Sequence, residues 1–246
     1  MQRYFLDQAY EPTVEVSGDP HHHMSRVIRM TVDTEVFLVF NDQTAIKAKI
    51  IAIDNDKVTL KEVEKERLQR ELPIDITIAS GFPKGEKLEL IVQKGTELGA
   101  HDFIAFPGES SVAKWDAKKQ QKKQQRLNKI AQEAAEQSHR QVLPVVKFAS
   151  EKELIAGFAD YDAVLIAYEE SAKQGEQAQL VQTFQQLTSG QKLVVFGPEG
   201  GLTPKEIENF QEAGGKLCGL GPRILRTETA PFYLLSAASF YYELQH

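Results

Sequence analysis

The chain has 246 residues, 41% hydrophobic and 26% charged, with a formal net charge of −6. That balance excludes global disorder and supports one or two globular domains with a sizeable core. The single cysteine, Cys218, excludes an intramolecular disulfide and any multi-cysteine zinc or iron–sulfur site, and fits a reducing cytoplasm.

Residues 1–72 read as small β structure. Glu35 to Phe40, Ala45 to Ile53 and Lys57 to Val63 are strand-like, with Asn41-Asp42 and Asp54-Asn55-Asp56 as turns between them. Ile46, Ala48, Ile50 and Ala52 alternate with Lys47, Lys49 and Ile51, close to period two. Short antiparallel strands with tight turns predict a small barrel. The charged stretch Glu64 to Glu71 leads to Pro73, where the domain boundary is expected, giving domains 1–72 and 73–246.

Beyond Pro73 strands alternate with helices. Ile74 to Ala79 predicts a strand; Leu88, Ile91, Val92 and Leu98 predict a helix that Gly99 ends. Asp102 to Phe106 is a strand. Asp116 can cap a long helix with a buried stripe of Leu127, Ile130, Ala131, Ala134 and Ala135. Leu143 to Phe148, Ala163 to Ala167, Leu193 to Phe196 and Leu217 to Leu220 are strands. Helices are expected from Ser150 to Gly157, from Gln177 to Leu187, from Thr203-Pro204 onward and from Glu228 to Glu243. The alternation predicts a parallel α/β sheet covered on both faces. No apolar run approaches the ~20 residues of a membrane helix, and Met1-Gln2-Arg3-Tyr4-Phe5 lacks the apolar core of a signal peptide, so no membrane partner is expected.

The acidic total hides a basic segment. From Lys114 to Lys129 there are seven basic residues against one acid, Asp116, a local balance of +6. Such a run is either a solvated helix face or a phosphate-contacting surface. His21-His22-His23 is a poor metal site, because three adjacent side chains rarely converge on one ion; a structural or RNA-facing role fits better.

Two glycine-containing segments follow buried strands: Gly197-Pro198-Glu199-Gly200-Gly201, and Gly219 to Thr229. In open α/β sheets ligands bind at the carboxyl ends of strands, and glycines there admit backbone amides to close approach. Two such loops can enclose one small molecule. A phosphate loop, a dinucleotide fingerprint, a nucleophile elbow and a zinc-protease motif are all absent from the sequence, which argues against a nucleotide-using hydrolase.

At these residues the chain resembles the ribosomal RNA small-subunit methyltransferase E family of the SPOUT superfamily. The resemblance rests on Met1 to Phe5; His22-His23 with Arg26 to Met30; Gln93 to Gly99; Ser111 to Trp115; Glu133 to Arg140; Gly197 to Thr203; and Leu220 to Ala230. It implies a small N-terminal PUA-like β-barrel that binds RNA and a C-terminal α/β trefoil-knot domain that binds S-adenosylmethionine. The implied activity is methyl transfer to N3 of one uridine in 16S ribosomal RNA, by a cytoplasmic homodimer, within an assembled small subunit. A non-catalytic RNA-binding protein on the same fold, or a related enzyme with another RNA target, are the alternatives. Gly95 stands where the family commonly has alanine, and should weaken its helix by up to ~1 kcal/mol. Pro231 falls in the first turn of the last helix, where a missing N–H breaks no ladder bond.

The resemblance assigns donor contacts to Gly197, Pro198, Glu199, Gly200, Gly201, Leu220, Gly221, Ile224, Leu225 and Thr227. Charge grows on a uracil ring as its imide proton leaves, and a guanidinium in a water-poor site would stabilise it. Arg226 is the expected catalytic group, ahead of Arg223; Glu228, Glu199 or a water are open as proton acceptor. Arg3, His22, His23, Arg26, Arg29 and Lys114 are the expected RNA contacts, with no metal. Trp115 either stacks on a base or anchors packing, and Glu133, Glu136 and Arg140 are spaced for a helix-surface network.

Overall fold

The structure, a computed structural model, describes residues 1–169 and 179–245. Contacts divide these into two compact units. One comprises Met1–Glu71 with Ala135–Leu143; the other comprises Leu72–Ala134 and Pro144–His246.

The first unit is a five-stranded sheet of β1 (Arg3–Phe5), β2 (Thr13–Ser17), β3 (Glu35–Val39), β4 (Ala45–Ile53) and β5 (Lys57–Lys65), in the order β1-β3-β4-β5-β2. The expected alternation holds, with Ile46, Ala48 and Ile50 of β4 buried beside Val58 and Leu60 of β5. Two register shifts between β4 and β5, at Lys47/Ala48 and Ile50/Ala52, curl the sheet. It is a curled half-barrel with β1 and β2 at its edges, the form the expected small barrel takes. It is not wholly antiparallel, since β1 runs parallel to β3. Between β2 and β3 lie α1 (Gly18–His22) and a π-turn at His23–Val27.

Arg3 needs correction. Expected on an RNA-facing surface, its side chain is 0% exposed. It pairs with Glu66, donates from Nη1 to the Arg140 carbonyl at 3.2 Å, and lies 5.0 Å from the Phe37 ring centroid. Alternation along β1 sends Tyr4 into the core of the sheet and Arg3 to the opposite face, where Arg140, Glu66 and Phe37 cover it and Glu66 supplies the counter-ion. Arg140 in turn forks onto Glu71, whose other oxygen accepts from the amides of Gln141 (2.7 Å) and Val142 (3.1 Å). These bonds tie Ala135–Leu143 to the end of the N-terminal segment.

The second unit holds six parallel strands: β6 (Asp75–Gly81), β7 (Asp102–Phe106), β8 (Val146–Phe148), β9 (Ala163–Ala167), β10 (Gln191–Phe196) and β11 (Lys216–Cys218). Their order is β11-β9-β10-β6-β7-β8. β10 reads as an unbroken apolar run because both its faces are buried. Val194 and Phe196 join Ile76 and Ile78 on one face; Leu193 and Val195 join Ala79 on the other. The first face is covered by α2 (Lys87–Glu97), α3 (Ala117–Gln137), α5 (Gln179–Gln186) and α7 (Thr229–Ser239). The second is covered by α4 (Glu151–Ala156) and α6 (Pro204–Glu212). Ser150 and Thr203 form the capping boxes of α4 and α6, and Asp116 accepts from the Lys119 amide at 2.8 Å. Of the expected helix from Gln177 to Leu187, residues 177–178 lie outside the described residues. β8 and β11 are shorter than predicted, and α7 passes into a π-turn at Phe240–Leu244. Cys218 is fully buried, as a core residue.

Gly95 has a packing reason. A Cβ there would lie 2.7 Å from Phe103 Cε1 and 2.9 Å from Cζ. Phe103 fills the space an alanine methyl would need, so the propensity gain of Gly95→Ala is expected to be outweighed by overpacking. The variant should lose ~1–3 kcal/mol in urea unfolding, and Phe103→Leu in the same chain should recover much of it.

Burial pushes the Glu71 carboxyl up, but Arg140 and the two amides outweigh it and hold it below the usual carboxylate range. With the folded value below the unfolded one, this stabilisation is full above about pH 4.5 and fades as pH falls through the folded value. Acid unfolding of Glu71→Gln should therefore show a flatter limb below pH 4.5 than the parent, and lower stability at neutral pH.

Candidate functional site

In the second unit, β6, β7 and β8 extend one way from the middle of the sheet, and β10, β9 and β11 the other. The order reverses between β6 and β10, which is where parallel sheets open a crevice at their carboxyl ends. A cavity of about 590 Å³ opens beside it, at the carboxyl ends of β9, β10 and β11, within the ~300–1,000 Å³ of small-molecule sites. The loop after β10 contributes Gly197, Pro198, Glu199, Gly200 and Gly201; the stretch after β11 contributes Leu220, Gly221, Ile224, Leu225, Arg226 and Thr227. All the residues expected at a donor site, and the expected catalytic arginine, thus line one cavity although the two segments are separate in sequence. Arg223 and Pro222 also line it.

Local chemistry explains the shape. Gly201 turns at φ +74°, its amide donating to the Pro198 carbonyl at 2.9 Å. Gly221 turns at φ +85°. A side chain at either would be strained. Pro198 is buried against two further glycines. A Cβ on Gly81 would lie 2.6 Å from Pro198 Cδ, and one on Gly108 would lie 3.2 Å from it. Behind this contact Glu206 is fully buried, accepting from the amides of Thr203 (2.7 Å) and Glu109 (2.9 Å). Ile224, by contrast, is 70% exposed at the cavity wall, an apolar side chain with little covering it.

Lys87, Ala167, Tyr168 and Glu169 also line the cavity and escaped the sequence reading. The signal was available: each follows a parallel strand, β6 or β9, and the carboxyl-end rule nominates such residues. Lys87 Nζ lies 3.0 Å from Glu199 Oε1 and 3.2 Å from Glu228 Oε2. The Lys84 amide donates to Glu199 Oε1 at 3.0 Å. Burial pushes both carboxyls up, but Lys87, with the Lys84 amide at Glu199 and the nearby Arg226 at Glu228, holds each below the usual range. The two carboxylates raise Lys87. Arg226 is exposed at the cavity, and its carbonyl accepts the amides of Thr229 and Ala230 that open α7.

The expected RNA contacts do not share this cavity. His22, Arg26 and Arg29 are exposed in the first unit, Arg29 at φ +57°. His21 is buried near the Asp54 carbonyl, and His23 shares a hydrogen bond of 2.9 Å with the Tyr4 hydroxyl, so the three imidazoles do not converge. Lys114, Lys118, Lys119 and Lys122 are exposed along the start of α3 and the residues before it. Arg126 is bound to Glu89 at 2.7 Å. Trp115 packs on Phe82, centroids 4.4 Å apart, with Lys123 Nζ 4.7 Å from its ring centroid; it is an anchor of packing.

This fold and cavity define an RNA methyltransferase: the family of RNA methyltransferase domains matches residues 70–239, and the family of RNA methyltransferase PUA domains matches residues 18–63. The ribosomal RNA small subunit methyltransferase E of Bacillus subtilis is 47% identical over 99% of this chain and 98% of its own. A crystal structure of a hypothetical protein is 44% identical over the whole of both chains, with a TM-score of 0.92. A structure from Legionella pneumophila, described as that of a methyltransferase with bound SAM, is 27% identical over 96% of both, with a TM-score of 0.81. The chain belongs to the ribosomal RNA small subunit methyltransferase E family.

Because Gly81 gives Pro198 its seat, Gly81→Ala should displace the β10 loop. Amide hydrogen exchange at residues 197–201 should rise well beyond that of β10 itself. Equal protection in variant and parent would show the seat to be unimportant.

Proposed function

We propose that this chain transfers a methyl group from S-adenosylmethionine to N3 of a uridine in 16S ribosomal RNA. The observation that carries the reading is the meeting of two glycine-bearing loops, separate in sequence, around one cavity in an RNA methyltransferase fold. The cradle fits such a donor: Gly200, Gly201 and Gly221 leave backbone exposed where side chains would intrude, and Leu220, Ile224 and Leu225 offer apolar walls to a flat base. The contacts proposed for the donor are Gly197 to Gly201, Leu220, Gly221, Ile224, Leu225 and Thr227.

When bound, S-adenosylmethionine supplies a methyl carbon already made electrophilic by the adjacent sulfonium, so metal and covalent catalysis are not required. The protein has two tasks. The two loops hold the acceptor nitrogen in line with that carbon, which can lower the barrier by several kcal/mol. Arg226 lines the cavity as an exposed cation, suited to the negative charge that spreads over the uracil oxygens as the N3 proton leaves. Glu199 and Glu228 are both engaged by Lys87 and held ionised, their carboxyls below the usual range. One of these carboxylates, or a water, takes the imide proton.

The RNA is assigned to His22, His23, Arg26 and Arg29 in the first unit and to Lys114 with the basic start of α3, through phosphate contacts. An assembled small subunit is the proposed substrate, and the cytoplasm the proposed location. A homodimer is supported by exposed apolar Ile224, Tyr233, Phe240 and Leu244 on and beside the last helix. A trefoil knot in the second unit is supported by loops from β10 and β11 closing on one cavity across β9.

Calorimetry should show donor binding that Gly200→Trp and Gly221→Trp each abolish. Arg226→Ala should keep donor affinity and lose ~10²–10³ in kcat. Small subunits from a deletion strain, incubated with labelled donor, should be modified at N3 of a uridine. Label on cytidine or on a ribose oxygen would overturn this chemistry.

A further inference from the structure

Lys87 opens α2, a helix fixed to the sheet by Leu88, Ile91 and Val92, all buried. Its backbone position is therefore set by the core. From there its ammonium reaches two carboxylates on two different segments: Glu199 in the loop after β10, and Glu228 immediately before α7. Glu199 is also pinned by the Lys84 amide, just upstream of α2. Three segments that line or flank one cavity thus meet at a single cation. Between its buried anchors Pro198 and Leu202 the β10 loop lies open: Glu199, Gly200 and Gly201 are all exposed. Glu228 sits two residues after Arg226, whose carbonyl starts α7. Whatever fixes Glu228 fixes the register of the proposed catalytic arginine.

All three side chains retain some exposure, at 31%, 25% and 16% for Lys87, Glu199 and Glu228. Water screens such pairs, so their contribution to global stability is small. Their effect is felt where two loops must be held in a ligand-ready arrangement before the ligand arrives, which is a matter of pre-organisation.

We propose that Lys87 is a positioning residue, clamping the β10 loop and the start of α7 together around the donor cavity through Glu199 and Glu228. The inference rests on the donor reading of that cavity, and its test separates the two.

The full-length protein is titrated calorimetrically with S-adenosylmethionine and with S-adenosylhomocysteine, and melted without ligand. Lys87→Met should raise both dissociation constants about tenfold, the loss of one charge-assisted contact set, while the melting temperature moves by only about 2 °C. Lys87→Arg should restore most of the affinity. Glu228→Gln should weaken binding as Lys87→Met does, and the two changes together should cost little more than either alone. Lys94→Met, on the same helix but outside the cavity, should bind as the parent. Parent-like affinity in Lys87→Met would overturn the clamp while leaving the donor reading intact. So would unchanged or tighter binding in Glu228→Gln, because a Lys87 that contacted the ligand directly would be freed by losing its carboxylate. A parent protein that binds neither ligand would overturn the donor reading, and the clamp with it.

Discussion

Pro198 sits against Gly81, with no room there for a methyl group, and close against Gly108, where one would be tight. That contact brings the end of β10 down onto the ends of β6 and β7, and everything at the cavity depends on it. It is a steric constraint and so is not weakened by salt or pH. Glu206 secures it from behind, a buried carboxylate satisfied by the amides of Thr203 and Glu109, so the loop on the far side of Pro198 is also held. With the β10 loop fixed in this way, the β11 stretch needs only to reach it for the cavity to close.

The electrostatics are layered on this frame. Lys87 draws Glu199 and Glu228 toward one point, and the amides that could have been left over find acceptors in carbonyls or carboxylates. Arg226 borders that cluster, near enough to Glu228 to help hold its carboxyl down, and is exposed, with its carbonyl committed to α7. An exposed arginine with a fixed backbone is well placed to meet an anion that forms only during a reaction. The same economy places apolar Ile224 on an open wall, where a ligand or a second chain would cover it.

The first unit uses its arginines differently. Arg3 and Arg140 are interior residues, each matched to a glutamate, Glu66 and Glu71, and Arg3 is laid over Phe37. Buried guanidinium groups of this kind are tolerated only when paired, which is why a basic residue near the N-terminus is no guide to an outer surface. Arg26 and Arg29 around the π-turn are among its exposed cations, open to an anionic partner.

Much of this was legible in the sequence where the signal was local. Strands β4, β7 and β9 carry their bounds in alternating or continuous apolar runs, and the caps of α3, α4 and α6 are written in Asp116, Ser150 and Thr203. The glycine loops at Gly197 and Gly221 are visible because a parallel sheet presents such turns at a known end of its strands. Arg3 was misread, and Lys87 overlooked, for one reason: their roles are set by partners 63 and 112 or more positions away, Glu66, Glu199 and Glu228, and spacing along a chain does not record such pairings. Gly95 is similar, its cost to the helix plain in sequence and its cause, the Phe103 ring, apparent only once β7 lies beneath α2. Periodicity and capping determined which elements form, because they depend on neighbours three or four residues apart. Which charge is buried, which glycine is packed and which lysine joins two loops was decided by the tertiary structure, because those depend on what the fold brings within a few ångströms.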